Sequence, residues 1–226
     1  MSLYIVLLGP PGAGKGTQAR IISEDFGIPV VSTGDMFRAM KTLDTPLARQ
    51  VQEIMARGDL VPDDITVQMV KERFEQPDCQ NGAMLDGFPR TEAQAEALDE
   101  MLAESFHEDL SGVPFFALSK EEAVRRISGR RMCRANDHPY HVEFNPPQRE
   151  GVCDIDGSEL YQRKDDTPEA VEQRYVEYVT KTAPLVEFYR DRGLLFEIDA
   201  SQAIDQITEV LRAEVGRWQA KDEDKA

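Results

Sequence analysis

The stretch Gly9-Pro10-Pro11-Gly12-Ala13-Gly14-Lys15-Gly16-Thr17 packs glycines, a lysine and a hydroxyl close together. Such residues can wrap a phosphate: glycine lets successive backbone N–H groups turn inward, a following helix adds partial positive charge, and the lysine reaches the outer phosphates. The usual spacing places Ser or Thr directly after the lysine to bind Mg2+, but here Gly16 stands there and the first hydroxyl is Thr17. Arginines that could supply further charge follow at Arg38, Arg90, Arg126, Arg130, Arg163 and Arg174. Asp86, in Leu85-Asp86-Gly87-Phe88-Pro89-Arg90, is an acid suited to ordering water around Mg2+. Phosphoryl transfer uses this equipment, because it depends on in-line placement and positive charge rather than covalent help.

These residues need a frame, and the apolar runs supply one. Short runs at 3–8, 28–31, 83–86, 113–118 and 194–199 are each followed by a helical pattern. They predict an α/β fold of three layers, with a five-stranded parallel sheet covered on both faces. The first helix is expected from Lys15 to Phe26, stopped by Gly27. Residues 32–61, including LARQVQEIMARG at 47–58, read as a helical insertion. Residues 129–166, punctuated by Pro139, Pro146-Pro147, Gly151 and Gly157, read as a small β arm with hairpin-like runs PYHVEF and SELYQR. Segments 1–31, 62–128 and 167–226 then form the core. Ser119-Lys120-Glu121-Glu122 is a capping box, so the helix it opens would carry Arg126 and Arg130 four residues apart on one face. Thr167-Pro168-Glu169 opens the helix that bears Arg174.

Composition narrows the partners. Among 226 residues, 42 acids outnumber 26 bases, and the net charge of −16 opposes binding to nucleic acid or an anionic membrane. No apolar run is long enough to span a bilayer, and the glycine-rich loop begins too early for a leader to precede it, so a cytoplasmic protein is expected. Cys79, Cys133 and Cys153 are too few for a disulfide scaffold and indicate reduced thiols or a metal site; Cys79, beside Asp78, shows no partner. The tail KDEDKA is expected to be solvated and unstructured.

The variant G-x-P-G-x-G-K-G-T resembles the nucleoside monophosphate kinases. Ser32-Thr33-Gly34-Asp35-Met36-Phe37-Arg38, and Asp86-Gly87-Phe88-Pro89-Arg90 followed by Gln94, are similar to the adenylate kinases. The fragments GRR (129–131), YHVEFNPP (140–147), LYQRKDD (160–166) and EQRY (172–175) carry the likeness from about residue 5 to about residue 199. The chain therefore resembles the adenylate kinase family in its long-lid form. That resemblance implies ATP + AMP ⇌ 2 ADP with Mg2+, in a monomer whose helical insertion binds the monophosphate and whose arm closes as a lid. It implies catalytic roles for Lys15, Arg90, Arg126, Arg130, Arg163 and Arg174, with Arg38 and Arg90 on the AMP phosphate and Gln94 on its adenine. Further nucleotide contacts are implied at Gly12, Ala13, Gly14, Gly16, Thr17, Thr33, Asp59, Leu60, Val61, Gly87, Phe88, Pro89, Pro139, Tyr140 and Gln202, and Mg2+ at Asp86 through water. Thr33 favours AMP, since the related UMP/CMP kinases usually carry Ala there. The donor is ATP or, as in some long-lid relatives, GTP, and Ala200 stands where the family commonly has Gly. A GTPase-like switch would lack the arginines and carry N-K-x-D, which this sequence does not contain.

Many long-lid relatives hold structural zinc with C-x2-C and C-x2-[CD], and here those positions read Cys133, Asn136, Cys153 and Asp156. Asn136 is a poor ligand, and His138 offers a substitute nitrogen. Other relatives have no metal and hold the lid by hydrogen bonds at these positions. Two readings follow: a zinc-like site at Cys133, His138, Cys153 and Asp156, or a hydrogen-bonded lid.

Overall fold

The computed structural model describes residues 2–40, 43, 45–57 and 59–223. In chain order, β1 (Leu3–Leu7), α1 (Lys15–Phe26), β2 (Val30–Ser32), α2 (Thr33–Ala39), α3 (Pro46–Arg57), α4 (Asp63–Phe74), β3 (Gly82–Asp86), α5 (Glu92–Met101), β4 (Val113–Ala117) and α6 (Lys120–Ser128) make up the first part. They are followed by β5 (Arg130–Cys133), β6 (Pro139–His141), β7 (Leu160–Tyr161), α7 (Pro168–Glu177), α8 (Leu185–Asp191), β8 (Leu195–Asp199) and α9 (Ile204–Glu223). Turns of π-helix extend α5 over Leu102–Phe106 and α7 over Tyr178–Thr182.

β3 lies between β1 and β2, parallel to both, and β4 pairs in parallel with β8. Parallel bridges Ile5 to Gly112 and Leu8 to Phe115 join the two ladders, so the strands run in the order 2-3-1-4-8. Side chains of β1 and the residue after it alternate between faces, as a strand requires. Tyr4, Val6 and Leu8 enter one core with Val70 and Phe74 of α4, Leu98 of α5 and Leu185 and Tyr189 of α8. Leu3, Ile5 and Leu7 enter the other with Ala19 and Ile22 of α1 and Ile207, Leu211, Val215 and Trp218 of α9. This is the expected three-layer α/β arrangement. Among the described residues, no helix is long and apolar enough to cross a membrane.

Smaller clusters hold the attachments. Phe37, Met40, Ala48, Val51 and Val61 bind α2 and α3 to the segment before α4. Cys133, Tyr140, Cys153 and Leu160 form the centre of the arm. There β5 is central, with β6 and β7 antiparallel on its two sides, and antiparallel bridges His141–Asn145 and Val152–Glu159 turn the chain back at the two hairpin-like runs. Gly129 ends α6, so Arg130 sits on β5 and does not continue the helical face of Arg126 as its spacing predicts. Arg130 instead pairs with His141 in the β5–β6 ladder, and a Cβ at position 129 would lie 2.3 Å from His141 Nε2.

Two further expectations change. Cys79 is buried and does have a partner, Arg73 Nη1 at 3.0 Å, across the turn that follows α4. The tail is helical through Glu223; Asp224, Lys225 and Ala226 lie outside the described residues, as does Gly58 of the insertion.

Candidate active site

The loop between β1 and α1 curls because its backbone can. Gly12 has φ +85°, and a Cβ there would meet Ala123 O at 2.6 Å. Gly14 caps α1, and the N–H groups of Thr17 and Gln18 both return to its carbonyl, at 3.0 and 3.1 Å. Ala13 is buried beneath the loop. Lys15 folds over it, with Nζ donating to Gly9 O at 2.8 Å and Pro10 O at 3.0 Å. The side chain is only partly buried by area, but its ammonium end is enclosed, and burial pushes its pKa down to about 8. Gly16 now has a physical account: a Cβ there would stand 3.2 Å from Asp86 Oδ2. Its absence lets the acid at the end of β3 approach the first turn of α1.

A second loop faces this one. Ser32 caps α2 by accepting from Asp35 N, and Thr33 Oγ1 donates to Gly87 O at 2.9 Å. Arg90 Nε donates to the same carbonyl at 2.8 Å. Phe88 is buried, and the Phe88–Pro89 bond is cis. Thr33, Arg38, Gly87, Arg90 and Gln94 line a cleft whose other wall is Asp59, Leu60 and Val61, closed by Asp165 and Arg174.

The cations gather around these loops, each beside an acid. Arg130 grips Asp166 with two bonds, at 2.9 and 2.5 Å, and Arg174 Nη1 lies 3.3 Å from the same carboxylate and 3.2 Å from Asp165. Asp166 is fully buried and shared by the two guanidinium groups, with Asp165 a second acid beside Arg174. Arg163 Nη2 lies 3.9 Å from both Asp35 and Asp137, and Arg38 pairs with Asp35. Burial lowers the pKa of Arg90 and Arg163, and takes that of Arg174 down to about 10. The charge of Lys15 is supported by Asp86 and opposed by Arg90, Arg174 and Arg130, so these groups share one electrostatic centre.

Arg126 stands apart from that centre. Its Nε donates to Glu122 at 2.9 Å and its Nη1 to Ala200 O at 2.8 Å, beside the ring of Phe144. Gln202, in the turn after β8, reaches Asp199 Oδ2 at 3.5 Å, and Pro139 and Tyr140 lie on β6. Sequence reasoning missed the holding residues. Asp165 and Asp166 are visible in LYQRKDD beside Arg163, but Asp63 reads only as an acid at a helix start. It accepts from Gln94 Nε2 at 2.7 Å and Thr91 Oγ1 at 2.8 Å. Thr182, in the π-helical turn, donates to Arg90 O at 3.0 Å and carries no sequence signal.

In the arm, the ligand atoms of Cys133, His138, Cys153 and Asp156 lie within 4.8 Å of one another. His138 Nδ1 is 3.4 Å from both Cys153 Sγ and Asp156 Oδ2, and Cys133 Sγ is 3.1 Å from that oxygen. Tetrahedral zinc places its N, O and S ligands about 3.3–3.8 Å apart, so the donor set fits and the two His138 separations fall in that range, while the cluster as a whole is wider, at up to 4.8 Å. Asn136 instead donates to Asp156 Oδ2 at 2.8 Å. The Ser158 N–H and then the Cys133 thiol hold Asp156 well below the usual carboxylate range. Ser158 Oγ, 2.9 Å from Cys133 Sγ, and Tyr140 OH, 3.5 Å from Cys153 Sγ, complete the surroundings.

A glycine-rich loop between a buried parallel strand and a helix N-terminus, opposed by so many guanidinium groups, is the architecture of a P-loop nucleotide-binding protein. Comparison with known proteins narrows the class. The chain matches the family described as Adenylate kinase over residues 7–194. It is 51% identical over 205 residues to the adenylate kinase of Carboxydothermus hydrogenoformans, covering 91% of this chain and 95% of that protein. With the adenylate kinase of Moorella thermoacetica it shares 51% over 218 residues, 96% of this chain and all of that protein. The adenylate kinase of Archaeoglobus fulgidus is 47% identical over 211 residues, 93% of this chain and 97% of its own length. The chain belongs to the adenylate kinase family.

Proposed function

We propose that the chain catalyses ATP + AMP ⇌ 2 ADP with Mg2+, serving purine nucleotide balance. One observation carries this reading: the cleft beside Gln94 and the loop at Lys15 share a single set of cations, so two nucleotides could present their phosphates to the same groups. Thr33, Arg38, Arg90 and Gln94 bind AMP, with Asp59, Leu60 and Val61 as the opposing wall. The loop from Gly12 to Thr17 binds the ATP phosphates, while Arg126, Pro139, Tyr140 and Gln202 flank the rest of the donor. Lys15 and Arg90 give up backbone carbonyls, and Arg130, Arg163 and Arg174 their carboxylate partners, for phosphate oxygens, and all five stabilise charge on the moving group. Asp86 would hold Mg2+ through water, and the ion would neutralise the phosphates. Residues 32–61 and 129–166 act as closing domains on the core, and closure excludes water from the transfer. The enzyme works as a cytoplasmic monomer; its charge of −16 supports independence from nucleic acid and membranes.

Incubating the protein with Mg·ATP and AMP should yield two ADP for each AMP consumed. CMP, UMP and GMP should be slower by about tenfold or more. No ADP, or preference for a pyrimidine monophosphate, overturns the reading.

The arm binds structural zinc at Cys133, His138, Cys153 and Asp156; the gathering of these four donors, with His138 Nδ1 3.4 Å from both Cys153 and Asp156, supports this. Elemental analysis should find one zinc per chain after washing with a weak chelator. Cys133→Ser should lose the metal and lower Tm. Metal-free protein whose Tm is unmoved by that substitution would assign the same side chains to a hydrogen-bonded lid.

A further inference from the structure

The Gln94 amide is locked from both ends. Its side chain is 2% exposed at the start of α5, where Oε1 accepts from the Arg90 backbone N–H at 2.7 Å and Nε2 donates to Asp63 Oδ1 at 2.7 Å. Neither neighbour can reverse its role, since a backbone N–H only donates and a carboxylate only accepts. Rotating the amide by half a turn would set NH2 against N–H and oxygen against carboxylate. Asp63 is itself fixed, because Thr91 Oγ1 donates to its Oδ2 at 2.8 Å while accepting from Gln94 N at 3.2 Å. One N–H and one lone pair of the amide remain for a ligand in the cleft that Gln94 lines.

We propose that Asp63, at the start of α4, is the positioning residue that makes the acceptor site select 6-amino over 6-oxo purine monophosphates. A 6-amino purine offers an acceptor at N1 beside a donor at N6; a 6-oxo purine offers a donor at N1 beside an acceptor at O6. A freely rotating amide pairs with either, whereas a locked one presents its donor and acceptor in a single order. The inference rests on AMP being the acceptor, which makes that order the one matching the 6-amino edge. Asp63 does not line the cleft, so it acts through Gln94.

The test compares kcat/KM for AMP and for IMP, at saturating Mg·ATP, in the parent enzyme, Asp63→Asn and Asp63→Ala. Asparagine can turn its own amide to accept a flipped Gln94 and alanine removes that partner, which leaves the Arg90 N–H as the lock on one end alone. In both variants the AMP-to-IMP ratio should fall by about tenfold, through the KM of the monophosphate, with the KM for ATP within about twofold of the parent. An unchanged ratio, even with lower turnover or Tm, reduces Asp63 to a structural role and overturns the proposal. A parent enzyme that phosphorylates neither compound overturns the proposed function as well, so the two failures are distinguishable.

Discussion

Lys15→Met should lower kcat for ADP formation by about 10²–10³-fold while the fold survives. Methionine is unbranched like lysine, one atom shorter and uncharged, so the substitution removes an ammonium from above the loop and leaves α1 in place. Among the described residues Lys15 Nζ donates to the carbonyls of Gly9 and Pro10, and burial has lowered its pKa to about 8. Phosphate oxygens would raise that pKa. Above about pH 8, nucleotide binding must then take up a proton, so ATP affinity weakens as pH rises through that value. The methionine variant should lose this pH dependence along with turnover. Calorimetric titration in two buffers of different ionisation enthalpy, beside a coupled ADP assay, checks both, and near-normal turnover would remove Lys15 from the chemistry.

The largest stability effect is expected at Asp166. This fully buried acid takes two bonds from Arg130 and one from Arg174, whose side chains are themselves largely buried. Asp166→Ala leaves two guanidinium groups without their shared carboxylate, at a cost of about 3 kcal/mol. For a chain of this size that lowers Tm by about 6–12 °C. Asp166→Asn keeps hydrogen-bonding atoms but no charge and should lose less. Mg·ATP should restore part of the loss in the alanine variant, because phosphate oxygens can replace the missing carboxylate. Thermal unfolding with and without nucleotide decides the matter: an alanine variant as stable as the parent means that solvent already compensates these arginines.

The parts of this molecule legible in its sequence are those whose determinants are local. The continuous apolar run at 3–8 reads directly as a strand buried on both faces, and α1 begins at Lys15 and ends at Phe26 because Gly14 and Gly27 bound it. Ser119 and Thr167 cap their helices as their neighbours predict. What escaped depends on distant partners. Arg126 and Arg130 have helical spacing, and only the ring of His141, arriving from β6, reveals that the helix has ended between them. Strands of two to four residues in the arm have too few positions to show a period. Asp63 looks like an ordinary acid in the first turn of a helix until Gln94 is brought to it on the neighbouring helix α5. That His138 comes to lie beside Cys153 and Asp156 follows from how the turn after Cys133 folds, which no spacing rule specifies.

Gly129 joins the arm to the body of the protein, and the imidazole of His141 fills the volume that any side chain there would need. The joint is thus a socket made by an omitted carbon. A single methyl group at this point would act as a doorstop, holding the arm away from the end of α6. The angle at which the arm rests, and with it the reach of Arg130 towards Asp166, is written into the chain as an atom left out.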